Sequence, residues 1–479
     1  MNYSIIRYVT GHTMLLEGAL MLPACIVSLI YGETAAISIA LSAAICAILG
    51  LIIKPRQLRN HEFFAKEGFV TVAVSWIIIS ILGSLPFLFS GSIANPVNAI
   101  FEAVSGFTTT GASILSDVEA LPKGILFWRS FTHWIGGMGV LVFLLSLLPM
   151  TGGSHMNLMK AESPGPSVSR LAPKVQTTAK ILYGIYIWLT VVEIILLLIG
   201  KMPLFDALTL SFGTAGTGGF GVLNSSIASY STYNQVVITI FMILFGINFN
   251  AFYLILLKQV KEAFIMEEVK TYFLIIATSI IVITVNISHL FDNVFVAFQQ
   301  AAFQVASIIT TTGYSTADFN VWPELSRTIL VILMFIGACA GSTGGGMKVS
   351  RLLIWIKTIS KEIHGYLHPK AVKQVKMDDK TVTPEVIRST NVYLATYMII
   401  FAVSVLLITF DNFDSTTNFT AVAATLNNIG PGLNQVGPMS NFASFSNFSK
   451  LVLTFDMLAG RLELFPLLLL FSRETWKKF

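Results

Sequence analysis

Phe101-Glu-Ala-Val-Ser-Gly-Phe-Thr-Thr-Thr-Gly111 is a short apolar run that ends in three hydroxyl residues and a glycine. It returns as Phe303-Gln-Val-Ala-Ser-Ile-Ile-Thr-Thr-Thr-Gly313, matching at six of eleven positions. Two weaker relatives, Thr214-Ala-Gly-Thr-Gly218-Gly219-Phe and Asn427-Asn-Ile-Gly430-Pro-Gly, stand between and after them. Gly111, Gly219, Gly313 and Gly430 are separated by 108, 94 and 117 residues, which reads as four copies of one unit. Each copy places a glycine-containing loop where something passes close to the backbone.

The surroundings of these loops are apolar. Of 479 residues, 54% are hydrophobic and 11% charged, against ~25% charged in soluble domains. Runs long enough to cross a bilayer lie at roughly 10–31, 35–53, 69–90, 125–149, 176–200, 232–256, 271–290, 387–410 and 447–471. A further run, 326–357, is interrupted in its middle, giving ten predicted spans. The short alternating strands of a membrane barrel are absent. The first run, Thr13 to Tyr31, leads straight into the second without a small-residue cleavage site, so it reads as a span and not a removed signal peptide. Cys25, Cys46 and Cys339 lack metal-ligand spacing and read as small packed residues. With the N-terminus inside, 24 Lys and Arg fall on inside segments and 5 outside, which predicts that both termini are cytoplasmic. The net charge of +5 then follows from topology and carries no implication of nucleic-acid binding.

Between paired spans, on the outer side, lie segments too apolar for solvated loops and too short to cross: Asn95–Phe107, Pro203–Gly213, Asp292–Ile309 and Ser415–Leu426. Each starts near Pro, Asp or Asn, residues suited to helix starts, and leads into one of the four glycine loops. Irregular backbone at membrane depth survives only inside protein or along a water-filled path. The expected fold is therefore an all-α polytopic membrane protein of about ten transmembrane helices. Two N-terminal spans (1–66) precede four span–short helix–loop–span repeats around one pore, at 67–173, 174–268, 269–385 and 386–479.

Thr-Thr-Thr-Gly presents carbonyls and hydroxyls, all oxygen ligands, and rings of carbonyls replace the hydration shell of an alkali cation. The short helices end at the loops, so their negative dipole ends face the ion. No Asp, Glu or Lys lies in the loop cores. That pattern favours a dehydrating filter for monovalent cations over a ring of charges. The alternative is four ordinary glycine-ended helix caps.

The interrupted run contains Gly337-Ala-Cys-Ala-Gly-Ser-Thr-Gly-Gly-Gly346, too rich in glycine for a helix at ~1 kcal/mol lost per Gly relative to Ala. It follows the third loop, so it is expected beneath it as a gate formed by Gly341, Ser342, Thr343, Gly344, Gly345 and Gly346; a simple kink is the alternative. It is not a phosphate-binding loop, because Met347 stands where that motif needs Lys. Arg461 sits about ten residues from the inner end of the last span, roughly 15 Å deep at 1.5 Å per residue. A charge there faces a partner or a watery cavity, and neither Asp456 nor Glu463 shares its face well. It is expected to face the pore or the broken loop, with a structural ion pair as the alternative. Glu102 and Asp206 either attract cations at the outer mouth or begin helices. Glu193 and His133 read as packed polar groups. No nucleophile, acid–base or metal constellation points to an enzyme.

At these residues the chain resembles the Trk/Ktr/HKT superfamily of potassium transporters, and within it the Trk membrane subunits, over nearly its whole length. The resemblance rests on the four loops and on His133-Trp-Ile-Gly-Gly-Met-Gly139, Ala161-Glu-Ser-Pro-Gly-Pro166, Gly341-Ser-Thr-Gly-Gly-Gly-Met-Lys348 and Gly460-Arg-Leu-Glu463. It implies potassium uptake across the cell (inner) membrane through a filter comprising Thr109, Thr110, Gly111, Gly218, Gly219, Thr311, Thr312, Gly313, Asn428, Ile429 and Gly430. Potassium would be held through Thr110, Gly111, Gly218, Thr312, Gly313 and Ile429. The second and fourth loops depart from Thr-Thr-Thr-Gly. The resemblance also implies gating by the Gly-rich loop with Arg461, a homodimer, and a cytosolic nucleotide-binding regulatory subunit. The basic stretch Lys357–Arg388 would face that subunit or anionic lipid. A sodium-permeable or sodium-coupled transporter of the same fold is the nearest alternative. An inverted-repeat carrier of organic solutes would show opposed repeats, whereas these run parallel. A non-transporting scaffold leaves the four loops without purpose.

Overall fold

A computed structural model of the chain describes residues 1–55, 65–139, 175–371 and 373–477. The inner half of the predicted 125–149 span, Arg56, Arg59, Lys160, Arg170, Lys174 and the Ala161–Pro166 motif lie outside the described residues. Helices Tyr3–Ile30 and Ala35–Ile53 form an antiparallel pair in contact along their length. A Cβ on Gly11 would lie 2.9 Å from the Gly50 carbonyl oxygen, and one on Gly18 2.8 Å from that of Ala43, so small residues set this spacing as they do between membrane helices.

Six helices among the described residues are long and apolar enough to cross a membrane: Tyr3–Ile30, Ala35–Ile53, Ala65–Phe89, Ala179–Ile199, Glu267–Leu290 and Pro384–Asp411. The last four each open one unit. Each is followed by a short helix: Pro96–Phe107, Leu204–Gly216, Val294–Ile309 and Ser415–Leu426. Asn95, Asn293 and Asp414 cap three of these by accepting from the backbone N–H of Val97, Phe295 and Thr417, while Pro203 precedes the other.

The second spans of the second and fourth units depart from the sequence expectation of an intact rod. Only the third, Glu324–Ile336 and Val349–Leu367, was expected to break. Lys123–Gly137 ends ahead of Gly139 (φ +82°). Thr232–Phe245 and Phe249–Leu256 meet at 92°. Asn447–Arg461 stops before Glu463 (φ +52°) and Leu464 (φ +69°). The breaks are satisfied across units. The Gly246 carbonyl accepts from Cys339 N–H (3.1 Å), the Gly341 carbonyl from Phe249 N–H (3.0 Å), and the Asn248 side chain caps Asn250 N–H (3.0 Å). These are the partners that a helix break inside protein requires. The hairpin Lys376–Met377/Lys380–Thr381 lies in the long basic loop.

Candidate functional site

All four loops leave their helices by the same backbone route. The N–H of Thr110, Gly218, Thr312 and Ile429 donates to the carbonyl five residues back, on Ser105, Gly213, Ser307 and Ala424, at 2.8–2.9 Å. The preceding N–H, of Thr109, Thr217, Thr311 and Asn428, donates three residues back at 3.0–3.2 Å. This pair of bonds is a Schellman cap, whose left-handed position normally holds glycine. Here Thr109, Thr217, Thr311 and Asn428 hold it, at φ +53° to +61°. A non-glycine residue there costs about 1 kcal/mol, and such strain clusters at functional sites.

The glycines stand two residues further on and serve another purpose. Gly111, Gly219, Gly313 and Gly430 have φ of +80°, +77°, +84° and +92°. A Cβ on Gly111 would strike the carbonyl oxygen of Gly218, one on Gly219 that of Thr312, and one on Gly313 that of Ile429. On Gly430 it would come within 2.8 Å of the Thr110 carbonyl oxygen. Each glycine thus abuts the carbonyl before the next loop's glycine, and the contacts close into a ring of four. An ordinary cap would make no such contact. On one side the four glycines line a single recess of about 150 Å³ with Arg129 and Asn224. At its rim the Asn224 amide, bonded to Asp117 at 2.9 Å, holds that carboxyl below the usual carboxylate range.

Side chains fix the loops from behind. Thr108 and Thr110 hydroxyls bond at 2.8 Å, as do Thr310 and Thr312. Asn428 donates to the Thr110 hydroxyl and to the Met457 carbonyl, both at 2.9 Å, tying the fourth loop to the first. His133 accepts from Phe220 N–H at 3.3 Å through Nε2 and reaches the Gly106 carbonyl at 2.7 Å through Nδ1, which those partners define as the protonated nitrogen. It thereby bridges the first helix and the second loop.

Against the other side of the ring lies the segment 337–348. Gly345 N–H donates to the Thr311 hydroxyl (2.6 Å), Gly346 N–H to the Asn427 carbonyl (3.1 Å), and a Cβ on Gly344 would lie 2.9 Å from the Thr310 carbonyl oxygen. The Thr343 hydroxyl donates to the Phe245 carbonyl (3.2 Å), and the Lys348 ammonium to the Gly344 carbonyl. Arg461 donates to the Thr343 carbonyl at 3.0 Å, to the Gly137 carbonyl at 2.7 Å, and to the Gly136 carbonyl. The helix end of the first unit and the breaks of the other three therefore meet in one layer, joined through Arg461 and Thr343. Glu463 pairs with Arg351.

Of the two acids singled out in the sequence, Glu102 sits elsewhere than expected and Asp206 begins its helix. Glu102 lies mid-helix, fully buried, paired with Arg129 at 2.6 Å, so it neither begins a helix nor faces the mouth unpaired. Asp206, in the first turn of its helix, accepts from the Tyr230 hydroxyl at 2.9 Å. A buried carboxylate the sequence did not flag is Glu268. One of its oxygens accepts from Ala340 N–H (2.7 Å) and Ser350 N–H (3.1 Å), the other from the Asn248 amide (3.2 Å).

Fold and site together define a helical, multi-pass membrane protein whose four re-entrant loops close on one ring of backbone oxygens. The chain belongs to the TrkH family of cation transport proteins, whose model matches residues 35–478. It is 34% identical over 486 positions to the Trk system potassium uptake protein TrkH of Salmonella typhimurium, and 33% over 485 positions to that of Escherichia coli strain K12, with both chains covered completely. To Trk system potassium uptake protein TrkG of the latter it is 31% identical, again over the whole of both chains. The crystal structure of the potassium transporter TrkH from Vibrio parahaemolyticus superposes with a TM-score of 0.90 at 31% identity, covering all of both chains.

Proposed function

We propose that this protein takes up potassium across the cell membrane through the ring of carbonyls on Thr110, Gly218, Thr312 and Ile429, and that the segment 337–348 gates it. The ring carries this reading: each carbonyl abuts the glycine of a neighbouring loop, a geometry suited to exchanging hydration water for protein oxygen without a charged ligand. The filter then comprises Thr109 to Gly111, Gly218 and Gly219, Thr311 to Gly313, and Asn428 to Gly430. Gly341 to Gly346 form the gate with Arg461. In this reading the chain is an ion conductor and not an enzyme. The four repeats divide at 67–173, 174–268, 269–385 and 386–479, and both termini are cytoplasmic. A homodimer and a cytosolic nucleotide-binding regulatory subunit complete the assembly, with the basic stretch around the hairpin as the facing surface. Radiolabelled rubidium uptake into proteoliposomes tests the proposal. Uptake competed by potassium and not by sodium is the expected result; equal competition by sodium would favour the sodium-permeable reading.

Glu268 anchors the gate in this scheme. It holds both flanks of the loop, and a cavity of about 880 Å³ lined by Asn248, Glu268, Ala340 and Ser350 provides room beside it. Glu268→Ala leaves two N–H donors and an amide without their partner, a loss of about 2–3 kcal/mol from the closed arrangement. Rubidium flux is expected to rise several-fold at unchanged potassium-over-sodium discrimination. An unaltered flux in a variant that melts like the parent would sink the assignment.

A further inference from the structure

The segments beyond the filter glycines are held by side chains of the short helices in three of the four units, by different chemistry each time. In the fourth unit the Thr420 hydroxyl accepts from Leu433 N–H at 2.9 Å. In the third, the Gln304 amide, oriented to satisfy its neighbours, accepts from Thr316 N–H at 3.0 Å and Ala317 N–H at 3.3 Å. Gln304 aligns with Glu102 in the repeated motif. In the first unit the carboxylate of Glu102 accepts from Ile114 N–H (3.0 Å) and from the Ser113 hydroxyl (2.9 Å). The change from amide to carboxylate comes with a cation. Arg129 donates through Nε to Glu102 at 2.6 Å and through Nη1 to the Gly221 carbonyl at 3.0 Å, and its guanidinium lies 3.5 Å over the Phe220 ring.

We infer that the Glu102–Arg129 pair is a selectivity-determining staple that fixes the distance between the first and second filter loops. Glu102 holds the first loop two and three residues past Gly111, and Arg129 holds the second two residues past Gly219. The carbonyl of Gly218 abuts Gly111, so the two loops these anchors hold touch directly. The pair is 0% and 3% exposed, so neither charge is screened by solvent and each needs the other. Arg129 also lines the recess in front of the ring, with Glu102 as its ion-pair partner. The second unit's loop departs from Thr-Thr-Thr-Gly, and its outer segment is carried by a side chain of the first unit. This inference rests on the filter reading above and assigns two positioning residues to it.

The test compares Glu102→Gln, Arg129→Met and the double variant in proteoliposomes, with Gly313→Ser as a control on the filter itself. Glu102→Gln keeps an acceptor for Ile114 but leaves the guanidinium uncompensated. Potassium-over-sodium discrimination is expected to fall at least about tenfold in each single variant, with the double no worse than the poorer single, the signature of coupled sites. Losses that multiply in the double, or unchanged discrimination in both singles, overturn the inference. If Gly313→Ser abolishes discrimination while the staple variants do not, the staple falls and the filter stands; if Gly313→Ser also discriminates normally, the filter reading itself fails. Should Glu102→Gln not fold, Ser113→Ala removes one carboxylate contact without stranding a charge. A loss of about threefold is then expected for it, and no loss overturns the staple.

Discussion

Gly313→Ser is expected to collapse the preference for potassium by roughly a hundredfold. The backbone at Gly313 has φ +84°, where a side chain already costs about 1 kcal/mol. The larger effect is positional. A Cβ there would be driven into the Ile429 carbonyl oxygen and would come within 3.0 Å of Pro431 Cδ. The proline cannot yield by rotating a side chain, so the carbonyl must turn away from the ring. Losing one of four oxygens that replace hydration water amounts to about 2–3 kcal/mol, or roughly two orders of magnitude. The measurement is rubidium uptake competed separately by potassium and sodium. Gly32→Ala supplies the contrast, since Gly32 has φ +69° but nothing within 4 Å of its Cβ position. It should lose a little stability and no selectivity. Full discrimination in Gly313→Ser would mean that the ring carbonyls do not select.

The two Thr-Thr-Thr-Gly loops were legible in the sequence because side chains and backbone repeat together there. The second and fourth loops share the backbone ladder but not the side chains, since the Schellman bonds use only N–H and C=O groups. Only their glycines survive as a signal, and those glycines are needed for the approach of a neighbouring carbonyl. The left-handed residues two positions earlier carry no such signal. Threonine and asparagine occupy them, and nothing in their identity announces a positive φ.

The broken second spans were harder to read. Gly246-Ile-Asn248 and Leu462-Glu-Leu464 sit within apolar runs whose average hydropathy matches an intact helix. Their breaks are stabilised from other units, at distances of roughly a hundred residues along the chain, and no local periodicity encodes such a partner. Glu102 was misplaced for the same reason: its partner Arg129 is 27 residues away on another helix. The glycine-rich segment was legible because five glycines in ten residues exclude a helix whatever surrounds them.

That contrast bears on Arg461, whose depth in the span was plain from the sequence and whose partners were not. Arg461→Gln is expected to raise rubidium flux about tenfold or more while leaving the potassium-over-sodium ratio unchanged. The guanidinium reaches the Thr343 carbonyl in the segment 337–348, the proposed gate, and the Gly136 and Gly137 carbonyls at the first unit's helix end. Thr343 in turn bonds the Phe245 carbonyl of the second unit, so one side chain ties this layer across all four units. Charge-assisted bonds of this kind contribute about 1.5–3 kcal/mol each, and losing one moves a two-state gate by at least tenfold. A fixed cation beside the ion path also repels potassium, by about 2 kcal/mol at ~8 Å with an effective dielectric of ~20. Both effects point to faster flux. Arg461→Lys separates them: it keeps the charge but gives up the planar fork that spans three carbonyls. Flux between parent and Arg461→Gln therefore indicates that geometry and charge each contribute, and parental flux assigns the barrier to charge alone. The selectivity ratio is expected to stay fixed in either variant, because the Thr343, Gly136 and Gly137 carbonyls that Arg461 holds are not those of the ring. A folded Arg461→Gln protein with parental flux would leave the residue a structural tie and remove it from the gate.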